Sequence, residues 1–260
     1  MLDTREIFSM KFSDLVDYAD NLLQIKNFSP DYCVNGVQVE TTREIRKIVS
    51  GATASLALIN EAVVLDADVV VVHHGVFWNG DPPVMTGITK GRVSALLAAN
   101  IGLLAYHLPL DAHPDVGNNV CLARLMGWNW EGETFGRHNL GFVGLLDYSI
   151  PAHEFSQNIC STLGREPLFI CNDRNKLIRK VAWVTGAGQG YFKGAVSLGV
   201  DAFVTGEASE FVYHVAMETG VAYVAAGHHA TERYGVQSLC KLLADTFGLD
   251  HQYLELDNPV

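Results

Sequence analysis

Four consecutive valines, Val69 to Val72, constrain the fold more than any other stretch. A run of β-branched residues with no polar face reads as a strand buried on both sides, the kind found in parallel sheets. The flanks agree. Lys47-Ile48-Val49-Ser50-Gly51 reads as a strand ending at glycine. Ala52 to Asp66 reads as a helix with Leu56, Ile59 and Val63 inward and Ala62 beside them. Strand, helix and strand in this order predict a βαβ unit. The valine strand then ends in His73-His74-Gly75. Ligands collect at the carboxyl ends of strands in open α/β sheets. Two adjacent histidines at such an end point in different directions, so they can serve two ions, or one ion and a substrate.

The same alternation continues along the chain. Residues 11–26 read as an amphipathic helix, ended by Ser29-Pro30-Asp31, and Asn35-Gly36-Val37-Gln38-Val39 as a turn entering a short strand. Phe77 and Trp78 lie in a proline-bearing loop after His74, where they either wall a pocket or cover the sheet end. A helix over 91–100 leads to the buried strand Gly102 to Tyr106, which ends at His107, with Asp111 four residues on. Residues 115–126 and 151–163 look helical, and 141–146 looks like a strand. Lys180 to Thr185 is a strand running into Gly186-Ala187-Gly188-Gln189-Gly190. That loop is either an anion site before a helix or a tight strand-to-helix turn, and Tyr191 departs from the dinucleotide fingerprint. Helices over 190–199 and 208–219 alternate with strands 201–205 and 221–225. A helix over 231–247 and a short strand near Tyr253 close the sequence.

The two halves echo each other. Ala62-Val63-x-Leu65-x-Ala67-Asp68-Val69 matches Ala195-Val196-x-Leu198-x-Val200-Asp201-Ala202 at an offset of 133 residues, and Arg46-Lys47-Ile48 matches Arg179-Lys180-Val181 at the same offset. His107-x-x-x-Asp111 resembles His228-x-x-x-Glu232. The expected architecture is α/β, with two similar α/β lobes related by an internal repeat, over residues 1–130 and 131–260, and a metal site in the cleft between them.

Charge and cysteine usage exclude several classes. The net charge of -11 argues against nucleic acid and against an anionic membrane surface. No apolar run reaches the roughly 18 residues needed to span a bilayer. Residues 1–30 carry many charges and no apolar leader core, so a cytoplasmic protein is expected. Five dispersed cysteines with no Cys-x-x-Cys pair fit reduced thiols and offer no cysteine-rich zinc site.

The strand ends supply a candidate metal constellation: His73, His74, His107, Asp111, His228 and Glu232. His228 and Glu232, four apart, share one face of a helix that begins at His228, while His229 points away. Imidazole and carboxylate suit zinc, iron, nickel, cobalt or manganese. Three histidines and two carboxylates serve two divalent ions, roughly 3.5–4 Å apart, if Glu232 bridges, with or without Asp111. Such a pair keeps open positions, where a bound water has its pKa lowered toward neutrality. His107 is a sixth ligand, a general acid/base or an orienting partner, with the latter two favoured. Glu207 either reaches the cleft or caps the following helix.

Val-Val-His73-His74-Gly75-x-Phe-Trp, Tyr106-His107-x-x-x-Asp111, Thr205-Gly206-Glu207 and Gly227-His228-x-x-Thr231-Glu232 together resemble the YbgI-like family of dinuclear-metal proteins, called GTP cyclohydrolase type-2-like. Asn35 to Val39 and Thr185 to Gly190 resemble that family's motifs too. The resemblance implies two related lobes, a dinuclear centre on His73, His74, Asp111, His228 and Glu232 with Glu232 bridging, and a ring-shaped homohexamer. Longer members carry a domain inserted mid-chain. The span from Glu131 to Arg179 is too short for one, so this is the compact form. The expected function is metal-dependent hydrolysis of a small molecule, of GTP cyclohydrolase type by resemblance. Lys90, Arg92, Lys193 and Arg233 are sparse for a triphosphate. The alternative is a non-enzymatic metal-binding ring that acts as a scaffold or regulatory interaction protein.

Overall fold

The computed structural model describes residues 9–260, and they form two compact units. The first comprises the described residues up to Leu110 together with Gly235–Asp257, and the second comprises Asp111–Tyr234 with Asn258–Val260.

The first unit runs α1 (Phe12–Leu23), β1 (Gly36–Val39), β2 (Lys47–Thr53), α2 (Leu56–Val64), β3 (Val69–His74), α3 (Gly87–Ala99), β4 (Gly102–Ala105) and the short α4 (Leu108–Ala112), whose last residues count with the second unit. The second unit contains α5 (Asn118–Met126), β5 (Asn129–Phe135), β6 (Gly141–Pro151), α6 (Ala152–Leu163), β7 (Leu168–Ile170), β8 (Leu177–Trp183), α7 (Phe192–Ser197), β9 (Ala202–Thr205), α8 (Phe211–Thr219) and β10 (Ala222–Ala225). Helix α9 (His228–Phe247) begins in the second unit and continues in the first, which β11 (Asp250–Tyr253) completes.

The first sheet has the order β1-β4-β3-β2-β11, parallel except for β1. The valines behave as strand residues buried on both faces: Val69, Val70, Val71 and Val72 are each 0% exposed. Val70 and Val72, with Leu103 and Ala105 of β4, join Leu58, Ile59 and Ala62 of α2 and Val93 and Leu96 of α3 in one core. The inward face of α2 matches the expected one at Ile59 and Ala62 and departs from it elsewhere. Leu56 and Val63 are exposed, whereas Leu58, Ile59 and Ala62 are buried. The cause is the helix start. Strand β2 runs on to Thr53, and Ser55 caps α2 by accepting from Leu58 N, which shifts the buried stripe from the expected register.

The second sheet has the order β5-β6-β8-β9-β10-β7, with a parallel β8-β9-β10 centre and antiparallel strands outside it. Its two faces alternate as strand periodicity requires. Val181, Trp183, Ala202, Val204, Ala222 and Val224 pack with residues of α5 and α6, while Ala182, Val184, Phe203 and Tyr223 pack with residues of α7 and α8. Val120, Leu122 and Ala123 of α5 sit in the same core as Phe155 and Trp183, and β11 pairs with β2, so these units do not follow the sequence division at residue 130.

The internal repeat reaches the hydrogen bonds. Ile48 pairs with Val69 in the first sheet, and Val181 pairs with Ala202 in the second, which is the same register at the same offset. Asp68 accepts from the backbone N–H groups of Arg46 and Lys47, and Asp201 accepts from those of Arg179 and Lys180. Lys47 Nζ donates to Leu65 O and Lys180 Nζ to Leu198 O. Among the described residues, no helix is long and apolar enough to cross a membrane.

Candidate metal centre

In the first unit the donors come from the ends of β3 and β4. His73 is fully buried, and its Nδ1 lies 2.8 Å from Tyr106 O. Only an Nδ1–H can donate to that carbonyl, so in the neutral ring it is Nε2 that carries the lone pair a metal would use. His74 Nδ1 lies 3.3 Å from Thr53 Oγ1 on the neighbouring strand. The two rings lie near each other, with centroids 4.5 Å apart and planes tilted by 51°. His107 joins them at 5.1 Å from His73 and 5.7 Å from His74, and one ligand atom from each of the three falls within 4.8 Å of the others.

Loop residues clamp these histidines. Asp31 is buried and accepts from His107 Nδ1 at 2.7 Å, Asn35 Nδ2 at 2.7 Å, Leu108 N at 3.1 Å and Cys33 N at 3.2 Å. Burial disfavours its carboxylate, but His107, Asn35 and the Cys33 amide outweigh burial and hold it below the usual range. Asn35 also accepts from His107 N through Oδ1. Gln38 holds the other strand end: its Oε1 accepts from Val76 N and Phe77 N, and its Nε2 donates to Val34 O. Gly75 is required here, since a Cβ would collide with the Gln38 amide. Phe77 and Trp78 cover the sheet end, and Trp78 also stands edge-on to His107 with centroids 5.3 Å apart.

In the second unit, His228 opens α9 and Glu232 follows one turn later. His228 Nε2 lies 2.8 Å from Glu232 Oε2, and its Nδ1 lies 2.7 Å from Glu207 Oε1. Burial pulls the imidazolium down, but the Glu232 and Glu207 carboxylates outweigh burial and push its pKa up to about 9. Asp111, also buried, accepts from Asn118 Nδ2 at 2.8 Å and Thr185 Oγ1 at 3.3 Å. Asn119, with no exposure, donates to Asp111 O and accepts from Thr185 N. A carboxylate oxygen of Asp111 lies within 4.8 Å of one of Glu232. Each unit thus gathers imidazole and carboxylate groups whose other polar atoms are held by protein, the pattern that orients ligands toward a metal, although His228 must first give up a proton.

The Duf34/NIF3 (NGG1p interacting factor 3) family model matches residues 10–259. The chain belongs to this family. A Pseudomonas aeruginosa protein named "GTP cyclohydrolase 1 type 2 homolog" is 47% identical over 253 residues, covering 96% of this chain and 99% of its own. The protein of the same name from Escherichia coli K12 is 46% identical over 229 residues, covering 88% and 92%. Among solved structures, protein ybgI superposes with a TM-score of 0.92 at 44% identity, covering 96% of this chain and 100% of that one. TTHA1606 from Thermus thermophilus superposes at 0.84 with 34% identity, again over 96% and 100%.

Membership in the DUF34/NIF3 family agrees with the resemblance seen in the motifs. Within the units, His73, His74 and His107 come together, and Glu232 meets both His228 and Asp111. Glu207 is not a helix cap, since its carboxylate goes to His228. The glycine-rich loop after β8 is a tight turn in which two of the glycine amides are already engaged. Gly186 N donates to Thr231 Oγ1, Gly188 N donates to Thr205 Oγ1, and Cβ atoms at those positions would strike Glu232 and Val184. Sequence reasoning missed Asp31, Asn118, Asn119 and Thr185. Paired Asn118 and Asn119 entering a helix, four residues after a proline-marked turn, were the available signal for two of them.

Proposed function

We propose that this chain is a metal-dependent hydrolase of a small molecule, with His73, His74, Asp111, His228 and Glu232 holding two divalent ions and Glu232 bridging them. The observation that carries the reading is the donor set. Imidazoles gather beyond the strands of the first unit, carboxylates with His228 beyond those of the second, and each imidazole has its Nδ1 engaged by a protein acceptor or hydroxyl. Such donors suit zinc, iron, manganese, cobalt or nickel. When bound, such ions supply Lewis acidity and lower the pKa of a bound water toward neutrality.

The chain's own residues supply the rest. Asp31 fixes the His107 ring through Nδ1, so Nε2 is the atom at which His107 exchanges a proton with the substrate. Glu207 holds His228 in the same manner. Asn118 and Thr185 hold the Asp111 carboxylate. The relatives' name makes a purine nucleotide the first substrate to try, and hydrolysis of a GTP-type heterocycle is the reaction class proposed. The working form is a cytoplasmic homohexamer.

Metal content per chain, measured beside His74→Ala and Glu232→Ala, tests the reading. Close to two equivalents in the wild type, lost in both variants, supports the proposed centre. Turnover that survives loss of metal overturns the hydrolase. A metal that raises stability or assembly with no turnover moves the reading to the scaffold alternative.

A further inference from the structure

Arg165, in the turn joining α6 to β7, takes no part in the donor clusters described above. It is half-buried, and its guanidinium lies against Gly227, the residue immediately before His228. A Cβ on Gly227 would overlap Nη1 and lie 2.9 Å from Cζ, so only glycine accommodates the arginine there. Gly227 also has φ +104°, which favours glycine independently.

Arg165 Nη1 is buried with no hydrogen-bond acceptor among the described residues, and no described carboxylate pairs with it. Its neighbour Arg233 behaves otherwise, donating to Leu163 O and to Tyr234 Oη. Carboxylates are not scarce, with 29 acidic residues against 18 basic ones. The two that flank His228, Glu207 and Glu232, are both engaged by its imidazole. A buried guanidinium nitrogen without an acceptor is unfavourable, so its retention beside a proposed metal ligand calls for an anionic partner.

We propose that Arg165 is an anion-recognising residue beside the centre, and that the substrate presents a phosphate group to it. This rests on the metal reading above: two divalent ions against the carboxylates of Asp111, Glu207 and Glu232 leave a positive balance, to which Arg165 adds. The guanidinium fork matches two phosphate oxygens.

The test is calorimetric titration of the purified, metal-analysed protein with inorganic phosphate and, separately, acetate. Wild type is compared with Arg165→Gln, Arg165→Lys and a control, Arg124→Gln. The control removes the exposed guanidinium of Arg124 on α5, which donates to Asp115 O before that helix. Wild type and the control bind phosphate alike. Arg165→Gln weakens binding by about ten- to hundredfold, the usual loss for a charge-assisted hydrogen bond. Arg165→Lys, which keeps the charge and a stem on Gly227, falls between them and carries the test should the glutamine variant melt early. Undiminished phosphate binding in both Arg165 variants, no phosphate binding by wild type at millimolar concentration, or acetate binding as tight as phosphate each overturns the proposal. A wild-type sample devoid of metal overturns the metal reading alone, and its phosphate titration still decides Arg165.

Discussion

Gly186→Ala should separate a ligand's position from the stability of the fold. Gly186 has φ +65°, and a Cβ there would overlap Glu232 Oε1. Gly199 supplies a matched control, with φ +66° and nothing within 4 Å of its Cβ. Alanine at either position meets the same left-handed backbone, which costs roughly 1–2 kcal/mol. Only at 186 must a carboxylate also move. Restoring ordinary contact displaces Glu232 by on the order of 1 Å, several times the roughly 0.2 Å tolerance of metal–ligand distances. Glu232 is 4% exposed and bonded to His228, so it has no open side to move into. Loss of a ligand should exceed the about 10–100-fold loss seen when a ligand's supporting partner is removed. The assay is competition with a chromophoric chelator, paired with thermal melts of the metal-free proteins. Gly186→Ala should be less stable than Gly199→Ala by about 1–3 kcal/mol, the cost of a buried clash added to the shared backbone strain, and both should still unfold cooperatively. Gly186→Ala should hold metal at least about a hundredfold more weakly, a difference of about 3 kcal/mol. Equal metal affinity in the two variants would refute Glu232 as a ligand.

Three further outcomes are expected. The His228 pKa of about 9 in the metal-free protein means that metal must displace a proton, so apparent affinity should rise about tenfold per pH unit up to about pH 9 and then level; affinity independent of pH between 6 and 9 would count against His228 as a ligand. Asp68→Ala and Asp201→Ala each strip an acceptor from two backbone N–H groups and should each cost about 3 kcal/mol in urea unfolding, Asp68→Ala more because Arg43 Nε at 2.7 Å also loses its partner; a cost below about 1 kcal/mol at either site contradicts the matched roles. His251, buried against Ser50 Oγ at 2.8 Å, has its pKa lowered by burial, so the unfolded chain protonates first and stability falls as pH drops below 6.5. His251→Gln should flatten that fall by up to about 1.4 kcal/mol per pH unit, and parallel curves for the two proteins would show that His251 is not its source.

The sequence made the donors legible and left their supports obscure, for a physical reason. His73, His74, His107, Asp111, His228 and Glu232 announce themselves because each follows or opens a regular element whose periodicity is visible locally. Asp31 does not, since it lies in a loop and meets His107 across 76 residues of chain. Thr185 meets Asp111 across 74. Asn35 and Gln38 were visible as a motif, but only the fold shows that one clamps His107 and the other the loop after His74. Ile59 and Ala62 of α2 face inward as expected, whereas Leu56 and Val63 are exposed, because the helix starts only after the cap at Ser55, whose place depends on where β2 stops. The antiparallel strands β5 and β7 carry weak alternation and exposed residues, so residues 127–180 gave little signal.

The repeat explains why stability and chemistry occupy opposite ends of the same strands. At the amino ends the two sheets keep the same devices at an offset of 133: Asp68 and Asp201 on backbone amides, Lys47 and Lys180 on backbone carbonyls. These satisfy main-chain groups that any copy of the βαβ unit exposes, so both copies need them. At the carboxyl ends the copies diverge. His74 ends β3, and the residue at the matching position, Glu207, follows β9. That exchange alters what orients the next imidazole. His107 draws its carboxylate from the loop residue Asp31, whereas His228 draws its own from Glu207. One scaffold therefore presents a histidine-rich end in the first unit and a carboxylate-rich end in the second. Two identical ends would offer a cluster of imidazoles twice over and no carboxylate for the proposed metal centre. Divergence confined to the strand ends supplies both donor types while leaving the buried registers Ile48–Val69 and Val181–Ala202 untouched.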